Sequence, residues 1–541
     1  MTDLYVDARI FTADRRRWAN AMVVADGRIL YVGDEPTARR IAGSDARDIV
    51  LGGALVLPGF VDGHAHVVGT GEAAQQVDLW GADSLDEIQR RIRTYAERHP
   101  EATRIHAHGW QHGAIGGVPT RQMLDAVDPD RPVYAMAYDF HSIWLNTAAL
   151  AEVGIDEHTI APAGGAIHRA ADASPSGVID EVAMEVLVRA VLDGWTTDDD
   201  RDWALAAAQR GYRETGVTAA TDMALTEVEL AAMARAERAG TLTTRIVGHW
   251  FLSPTGDEKR NLAGVAYAAE LARAHDSEWL RVTGIKVMVD GTVDGCTAVL
   301  GYPYAHGGNA DPIWTIDQLA PVVIAADSMG LQVAMHAIGD EAVRIAIAAV
   351  EAAVVANGPR TDRRHRIEHL EVVEQADIDR LAALGITASM QPVHADPAIE
   401  GNWKAMLGDA RAERGWPFPE VTDAGATLVF GTDSPTSPHA PLPNMFIAAT
   451  RRSALKPDLA PNVPEFAVPL EDAVEHATRD AAWACRAEDR FGRLTAGLAA
   501  DFIVLDRDVF ASPRDDLLEA RVLRTVVGGK TVFIRDGRSG L

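Results

Sequence analysis

Cysteine is almost absent from this chain of 541 residues, which contains only Cys296 and Cys485. Two cysteines are too few for a disulfide framework, and they cannot supply a thiolate metal cluster. Any metal site in this protein must therefore be built from histidine, carboxylate or lysine side chains.

Positive charge is also scarce. The sequence has 78 acidic residues against 51 lysines and arginines, a formal net charge of −27. The electrostatic field of so negative a protein repels nucleic acids and anionic membranes, so neither is expected as a partner. The first residues lack the basic and apolar regions of a signal peptide, and no apolar run is long enough to span a membrane. We therefore expect a cytoplasmic protein.

The length exceeds the size at which a single hydrophobic core usually stops growing. Hydrophobic residues make up 47% of the chain and charged residues 24%, which is typical of a folded globular protein. The sequence therefore predicts one large domain with at least one smaller unit.

Both ends of the chain have the sequence pattern of β-strands, with short apolar segments separated by turns. Leu4 to Thr12, Ala21 to Val24 and Arg28 to Val32 are strand-like, and an Asp-Gly turn joins the last two. Leu498 to Leu505 and Val522 to Ile534 have the same character. We predict that residues 1–55 and 490–541 pair into a composite β-sandwich.

The middle of the chain alternates apolar strands with Ala-rich helices, which predicts an α/β fold with a parallel sheet. The prediction is a TIM-like (β/α)₈ barrel over residues 56–489. Its strands are expected at Leu55 to Asp62, Val217 to Asp222, Arg245 to Trp250, Val282 to Val287, Gln332 to His336, Arg366 to His369, Thr387 to Gln391 and Thr427 to Thr432. Residues 72–215 are too many for one connection after the first strand, so they should form an inserted subdomain that covers the active site.

Candidate ligands follow the predicted strands. His64 and His66 come directly after the first strand, and their spacing sends both imidazoles to one side of an extended chain. Four more residues of ligand type lie at the ends of later predicted strands: Lys286, His336, His369 and Asp433. Each alone is as easily a hydrogen-bonded or capping residue, but a barrel would bring all of them to one mouth.

These motifs resemble the amidohydrolase superfamily, and within it the amidohydrolase-3 branch that includes N-substituted formamide deformylase. The resemblance is carried by the segments 57–66, 290–292, 336–340, 366–369, 431–435 and 492–501, and by 109–110, 129–133 and 141–146 in the insertion. It covers essentially the whole chain and is specific for the branch, but weak for the substrate.

The resemblance implies a metal held by His64, His66 and Asp433, and a second metal held by His336 and His369, with Lys286 between them. Because an ammonium group has no lone pair, Lys286 could be a ligand only as a carbamate formed with CO₂. The alternative is an unmodified Lys286 that pairs with Asp433 or substrate beside a single metal. Imidazole and carboxylate ligands favour Zn²⁺, although manganese, iron or nickel could replace it.

The implied activity is hydrolysis of a non-peptide C–N bond in a linear amide, for example an N-substituted formamide. A metal-activated water would attack, and Asp433 would serve as general acid and base beside Lys286. The candidate substrate contacts are Trp110, His141, Trp144 and His394. Core packing of the tryptophans and a solvent-exposed loop position for His394 are the alternatives.

Two other functions stay open. The same metal core could hydrolyse cyclic amides or deaminate amino-heterocycles, and a catalytically silent small-molecule-binding barrel is an alternative of another class. The complete set of candidate ligands argues against the silent barrel. The resemblance also suggests a homodimer.

Overall fold

The computed structural model describes residues 2–162 and 165–535. Residues 1, 163–164 and 536–541, which belong to the predicted terminal and inserted domains, lie outside the described residues. The chain forms two compact units. One contains the N-terminal residues up to 67, residues 209–433 and the chain from 439 onward, and the other contains residues 68–208 and 434–438.

The terminal segments form one eight-stranded sheet, which we call the terminal sheet. Its strands are Thr2–Phe11, Trp18–Ala19, Ala21–Ala25, Arg28–Gly33, Arg47–Pro58, Phe502–Leu505, Val522–Val527 and Lys530–Ile534. The strand Arg47–Pro58 lies between an N-terminal strand, parallel to it, and the antiparallel Phe502–Leu505. The predicted pairing of both termini is therefore confirmed, in a single hydrogen-bonded sheet rather than two.

Eight parallel strands form the predicted barrel. In chain order they are Phe60–Ala65, Val217–Leu225, Arg245–Phe251, Leu280–Met288, Gln332–Ala337, Arg366–His369, Thr387–Met390 and Leu428–Phe430, numbered below as barrel strands one to eight. They are almost entirely buried, as expected for parallel strands covered on both faces.

One predicted strand is divided in the structure. Leu55 to Asp62 was expected to be a single barrel strand, but Leu55 to Pro58 pair in the terminal sheet and the barrel begins at Phe60. Gly59 separates the two, and its N–H donates to the carbonyl of Asp501. Because the apolar run is continuous, hydrophobicity does not mark this change of sheet.

Helices complete the first unit, and most of them lie between barrel strands or follow the last one. They are Glu35–Ala42, Glu227–Ala239, Glu258–Ala274, Ile316–Ser328, Asp340–Asn357, Gln375–Ala383, Glu400–Leu407, Asp409–Ala412, Phe418–Asp423, Pro441–Thr450, Leu470–His476, Arg479–Ala484 and Asp516–Glu519. The helix Val67–Ala73 belongs to the second unit except for its first residue, and Asp198–Thr215 begins in the second unit and ends in the first. Short 3₁₀ turns lie at Pro392–Ala395 and Pro464–Phe466. The helix after barrel strand five, Asp340–Asn357, shows how such a helix packs. Val343, Ile347 and Val350 recur at helical spacing and are buried, so they form its apolar face.

The second unit is built on a six-stranded sheet of its own. Its strands are Val77–Asp78, Ile105–Trp110, Val133–Ala137, Ser142–Leu145, Gly165–Arg169 and Pro175–Asp180, and its helices are Leu85–Arg98, Arg121–Asp125, Thr147–Glu152, Glu181–Met184 and Ala190–Trp195, with short turns at His112–Ile115 and Glu185–Arg189. Ser84 caps the first of these helices, which buries Ile88, Ile92 and Ala96 at helical spacing. Within the described ranges, every helix is too short or too polar to cross a lipid bilayer.

Candidate metal centre

The two histidines of the His-x-His motif lie at the end of barrel strand one, His64 within the strand and His66 directly after it. His64 is fully buried, whereas the side chain of His66 is about a quarter exposed. Their rings lie 5.8 Å apart. One imidazole is therefore enclosed by the barrel, and its neighbour lies where the site opens.

Asp433 approaches both histidines from the end of barrel strand eight. The backbone N–H groups of Asp433 and Thr432 donate to the carbonyl of His64 at 2.7 Å and 3.2 Å. Asp433 has a backbone φ of 57°, in the left-handed region that side-chain-bearing residues rarely adopt. This bend brings one carboxylate oxygen, Oδ1, to 3.3 Å from His64 Nε2 and 3.2 Å from His66 Nε2.

These distances are those expected between neighbouring ligands of one metal ion. Zinc binds imidazole nitrogen and carboxylate oxygen at ~2.0–2.2 Å, which separates neighbouring ligand atoms of a tetrahedron by about 3.3 Å. Both separations from Asp433 Oδ1 match that spacing. The Asp433 carboxylate is therefore placed to share an ion with either histidine.

His369 and Lys286 border the same centre. One ring nitrogen of His369 lies close enough to ligand atoms of His64 and Asp433 for all three to share an ion, and its ring is 4.9 Å from that of His64. Lys286 Nζ is buried and lies 3.5 Å from His64 Nε2. The structure thus brings five of the predicted ligands into direct proximity, from barrel strands one, four, six and eight.

His336, the sixth predicted ligand, lies beside this group. Its ring is 4.4 Å from that of His369, and its Nε2 is 3.1 Å from the carbonyl oxygen of Gly291 and 3.6 Å from the carboxylate of Asp290. His369 is in turn bonded through Nδ1 to Gln391 at 2.9 Å. His336 is therefore positioned by the loop that follows the Lys286 strand.

His394 follows barrel strand seven and faces the site rather than solvent. Its ring stacks parallel to that of His369 at 6.0 Å, and its Nε2 lies 3.8 Å from Asp433 Oδ2. The other nitrogen, Nδ1, is bonded to Glu371 at 3.0 Å. His394, Glu371 and His369 form a second group with ligand-like spacing.

Glu368 has a role that the sequence did not indicate. Strand alternation predicts that it points away from the site, as a structural residue, if His369 points into it. In the structure, Glu368 Oε2 lies 2.7 Å from His64 Nδ1, because His369 has a φ of 80° that breaks the alternation. Glu368 therefore touches a candidate ligand directly.

Two further buried carboxylates shape the loops of the site. Asp62 accepts hydrogen bonds from the backbone N–H and the hydroxyl of Thr432, next to Asp433. Asp290 accepts hydrogen bonds from the N–H groups of Ile338, Gly339 and Val299. Their sequence signal is an acidic residue at the end of an apolar strand.

Burial dominates the electrostatics of the centre. It raises the pKa of Asp62 and of Asp290 to about 7 in each case. Burial also opposes ionisation of Asp433, but the neighbouring imidazole of His64 holds the pKa of Asp433 well below its usual range. The pKa of Lys286 is lowered by burial, which favours its neutral amine.

The substrate contacts predicted in the insertion have different surroundings. Trp110 and Trp144 are fully buried in the hydrophobic core of the second unit, where their indole N–H groups donate to the carbonyls of Ala135 and Thr120. Their positions support core packing, the alternative drawn from the sequence. His141 instead forms an ion pair with Glu181 at 2.9 Å.

The sequence pattern of the amidohydrolase family matches residues 49–533. The chain belongs to the amidohydrolase family. This confirms the resemblance drawn from the motifs, and the barrel is the fold that the resemblance implied.

Three relatives illustrate how far the likeness extends. The amidohydrolase is 28% identical to N-substituted formamide deformylase of Arthrobacter pascens, over 99% of both chains. It is 29% identical to Protein LONG AFTER FAR-RED 3 of Arabidopsis thaliana, over 98% of this chain and 91% of that protein. A metal-dependent hydrolase from Pyrococcus horikoshii superposes with a TM-score of 0.76 and 25% identity, over 95% of this chain and 99% of the other.

Proposed function

We propose that this amidohydrolase cleaves the C–N bond of a linear, non-peptide amide, and that N-substituted formamides are within its substrate class. The observation that carries the proposal is the group formed by His64, His369 and Asp433, whose ligand atoms all lie within 4.8 Å of one another, with His66 Nε2 3.2 Å from the same Asp433 carboxylate. The full-length similarity to N-substituted formamide deformylase supports the choice of amide.

The proposed cofactor is Zn²⁺. A bound divalent ion would activate a water and polarise the substrate carbonyl. Asp433 would accept a proton from the attacking water and donate it to the leaving nitrogen, so that one amide and one water give one carboxylic acid and one amine. His394, fixed by Glu371 and facing Asp433, contacts the substrate beside this proton transfer.

We also propose that Lys286 carries a carbamate. Its buried, neutral amine attacks the carbon of CO₂ and releases a proton, which converts the side chain into an anionic oxygen ligand. Native mass spectrometry with and without bicarbonate tests this step, because the carbamate is lost on acid denaturation. An unchanged native mass in bicarbonate contradicts it and leaves an unmodified lysine beside a single metal.

The decisive experiment joins metal analysis to a hydrolysis screen of formamides, other linear amides, lactams and amino-heterocycles. We expect bound zinc, and amine release from the formamides and linear amides. His64→Ala should lose both, whereas His158→Ala, which removes an exposed imidazole, should lose neither. Turnover confined to lactams or amino-heterocycles would contradict the linear amide, and zinc binding without turnover on the whole panel would favour a silent binding protein.

A further inference from the structure

A chain of buried polar contacts runs behind the candidate metal centre, from Arg366 through Glu368 to His64. Arg366 Nε and Nη2 donate to the two oxygens of Glu368 at 2.5 Å and 3.0 Å. Glu368 Oε2 then lies 2.7 Å from His64 Nδ1. All three side chains are shielded from solvent.

The direction of the last bond fixes the state of His64. An ionised carboxylate can only accept, so Nδ1 must carry the hydrogen that it donates to Glu368. In the neutral imidazole, the lone pair is then on Nε2, the nitrogen that faces Asp433 and Lys286. Glu368 therefore selects the tautomer of His64 that can bind a metal.

Arg366 in turn holds Glu368. Its Nη2 also donates to the carbonyl of Gly63 at 2.7 Å and to the hydroxyl of Ser389 at 2.8 Å. These contacts reach from barrel strand six to strands one and seven. Since the guanidinium is tied to the backbone beside His64, Glu368 and His64 keep a fixed relative position.

We propose that Glu368 is a positioning residue that orients His64 for metal binding, and that Arg366 holds Glu368 in place for this task. The inference rests on the proposed function, because it takes His64 to be a metal ligand. Carboxylates behind metal-binding histidines typically change metal affinity by 10–100-fold when they are removed. The same range is expected for this pair.

The test measures zinc affinity by competition with a chelator, in wild type and in Glu368→Gln. We expect Glu368→Gln to bind zinc about 10–100-fold more weakly and to recover activity as free zinc is raised. Because Glu368→Gln leaves Arg366 as a buried charge, the double variant Arg366→Met/Glu368→Gln provides a second protein without that charge. The double variant should show the same loss of zinc affinity.

The chain offers a matched control in Asp327→Asn. Asp327 is a buried carboxylate that pairs with Arg363 and His365. These two residues lie just before barrel strand six, at the end opposite to His369. Asp327→Asn should lower the unfolding midpoint without weakening zinc binding. The proposal is overturned if folded Glu368 variants keep the wild-type zinc affinity, or if Asp327→Asn weakens it equally. If the wild-type protein binds zinc but hydrolyses no amide, only the proposed function is contradicted. The proposal for Glu368 is still tested, because zinc affinity is measured without turnover.

Discussion

At the scale of a single residue, Asp433 has two proposed roles. Its carboxylate faces the other candidate ligands, and it is also the proposed proton carrier. Asp433→Asn keeps the shape of the side chain but removes its charge and basicity. We expect kcat/KM to fall by about 10²–10⁴-fold and the bound zinc to decrease, as measured by steady-state kinetics and metal analysis. Asp472→Asn, at a partly exposed carboxylate paired with Arg17, should leave both unchanged. An Asp433→Asn variant with kcat/KM within tenfold of wild type would exclude Asp433 as the proton carrier.

His141 makes the stability of the protein depend on pH. Burial opposes its charged form, but the hydrogen bond to Glu181 raises the pKa of His141 to about 9. A raised folded-state pKa contributes stability that is fully present below the ordinary value near 6.5 and is lost as the pH rises through 9. The contribution is on the order of 3 kcal/mol at low pH.

We therefore expect wild type to exceed His141→Gln in free energy of unfolding at pH 6, and the difference to shrink by pH 10. Urea unfolding of both proteins at each pH measures this difference. A gap that is constant across the range would contradict the ion pair as its source.

The residues of the site show where sequence reasoning succeeds and where it stops. His64, His66 and Asp433 were identified because each follows an apolar strand, and barrel topology brings such positions together. Strand alternation misplaces Glu368 because it requires an extended backbone, and the φ of 80° at His369 is not encoded in hydrophobic alternation. Trp110 and Trp144 could not be assigned, since a buried aromatic and a binding aromatic have the same sequence signal.

At the scale of the elements, the contact between barrel strands one and eight depends on a glycine. A Cβ added at Gly431 would lie 2.4 Å from the backbone nitrogen of His64. Gly431→Ala must therefore displace either strand, at a cost of about 1–3 kcal/mol. Because His64 and Asp433 lie at this contact, we expect bound zinc to fall as well.

Thermal unfolding and metal analysis of Gly431→Ala measure both effects. Gly401→Ala is the control, since a Cβ at that exposed helical position meets nothing within 4 Å. It should be neutral or slightly stabilising. Equal behaviour of the two variants would mean that the strand contact tolerates a side chain.

All eight barrel strands were located from the sequence, because apolar runs bounded by helices are the strongest signal a parallel sheet leaves. The exact start of barrel strand one was missed. The change from the terminal sheet to the barrel is made by pairing partners far away in sequence, and its local sequence signal is the Pro58-Gly59 dipeptide rather than any change in hydrophobicity.

At the scale of the whole molecule, a buried ion pair joins the terminal sheet to the barrel. Arg245 Nε and Nη2 donate to Asp501 at 2.7 Å and 3.1 Å, and Asp501 also accepts from the N–H of Gly528. Removal of one partner leaves a buried charge without its counterion, which typically costs about 3–5 kcal/mol. Asp501→Ala should therefore lower the free energy of unfolding by that amount, as measured by denaturant titration.

Asp48→Ala removes the carboxylate of an exposed ion pair with Arg39 and is the matched control. Its unfolding midpoint should equal that of wild type. If the two variants were equally stable, the ion pair would not contribute to holding sheet and barrel together. The cytoplasmic location and the homodimer stay predictions from the sequence.

The terminal sheet also has a consequence for synthesis on the ribosome. The strand Arg47–Pro58 leaves the ribosome long before its neighbour Phe502–Leu505, which appears only after residues 59–501 have been made. Until then one of its edges has unpaired backbone groups and is open to pairing with another chain. Nascent chains that stall before residue 502 should therefore depend on chaperones to remain free of aggregates.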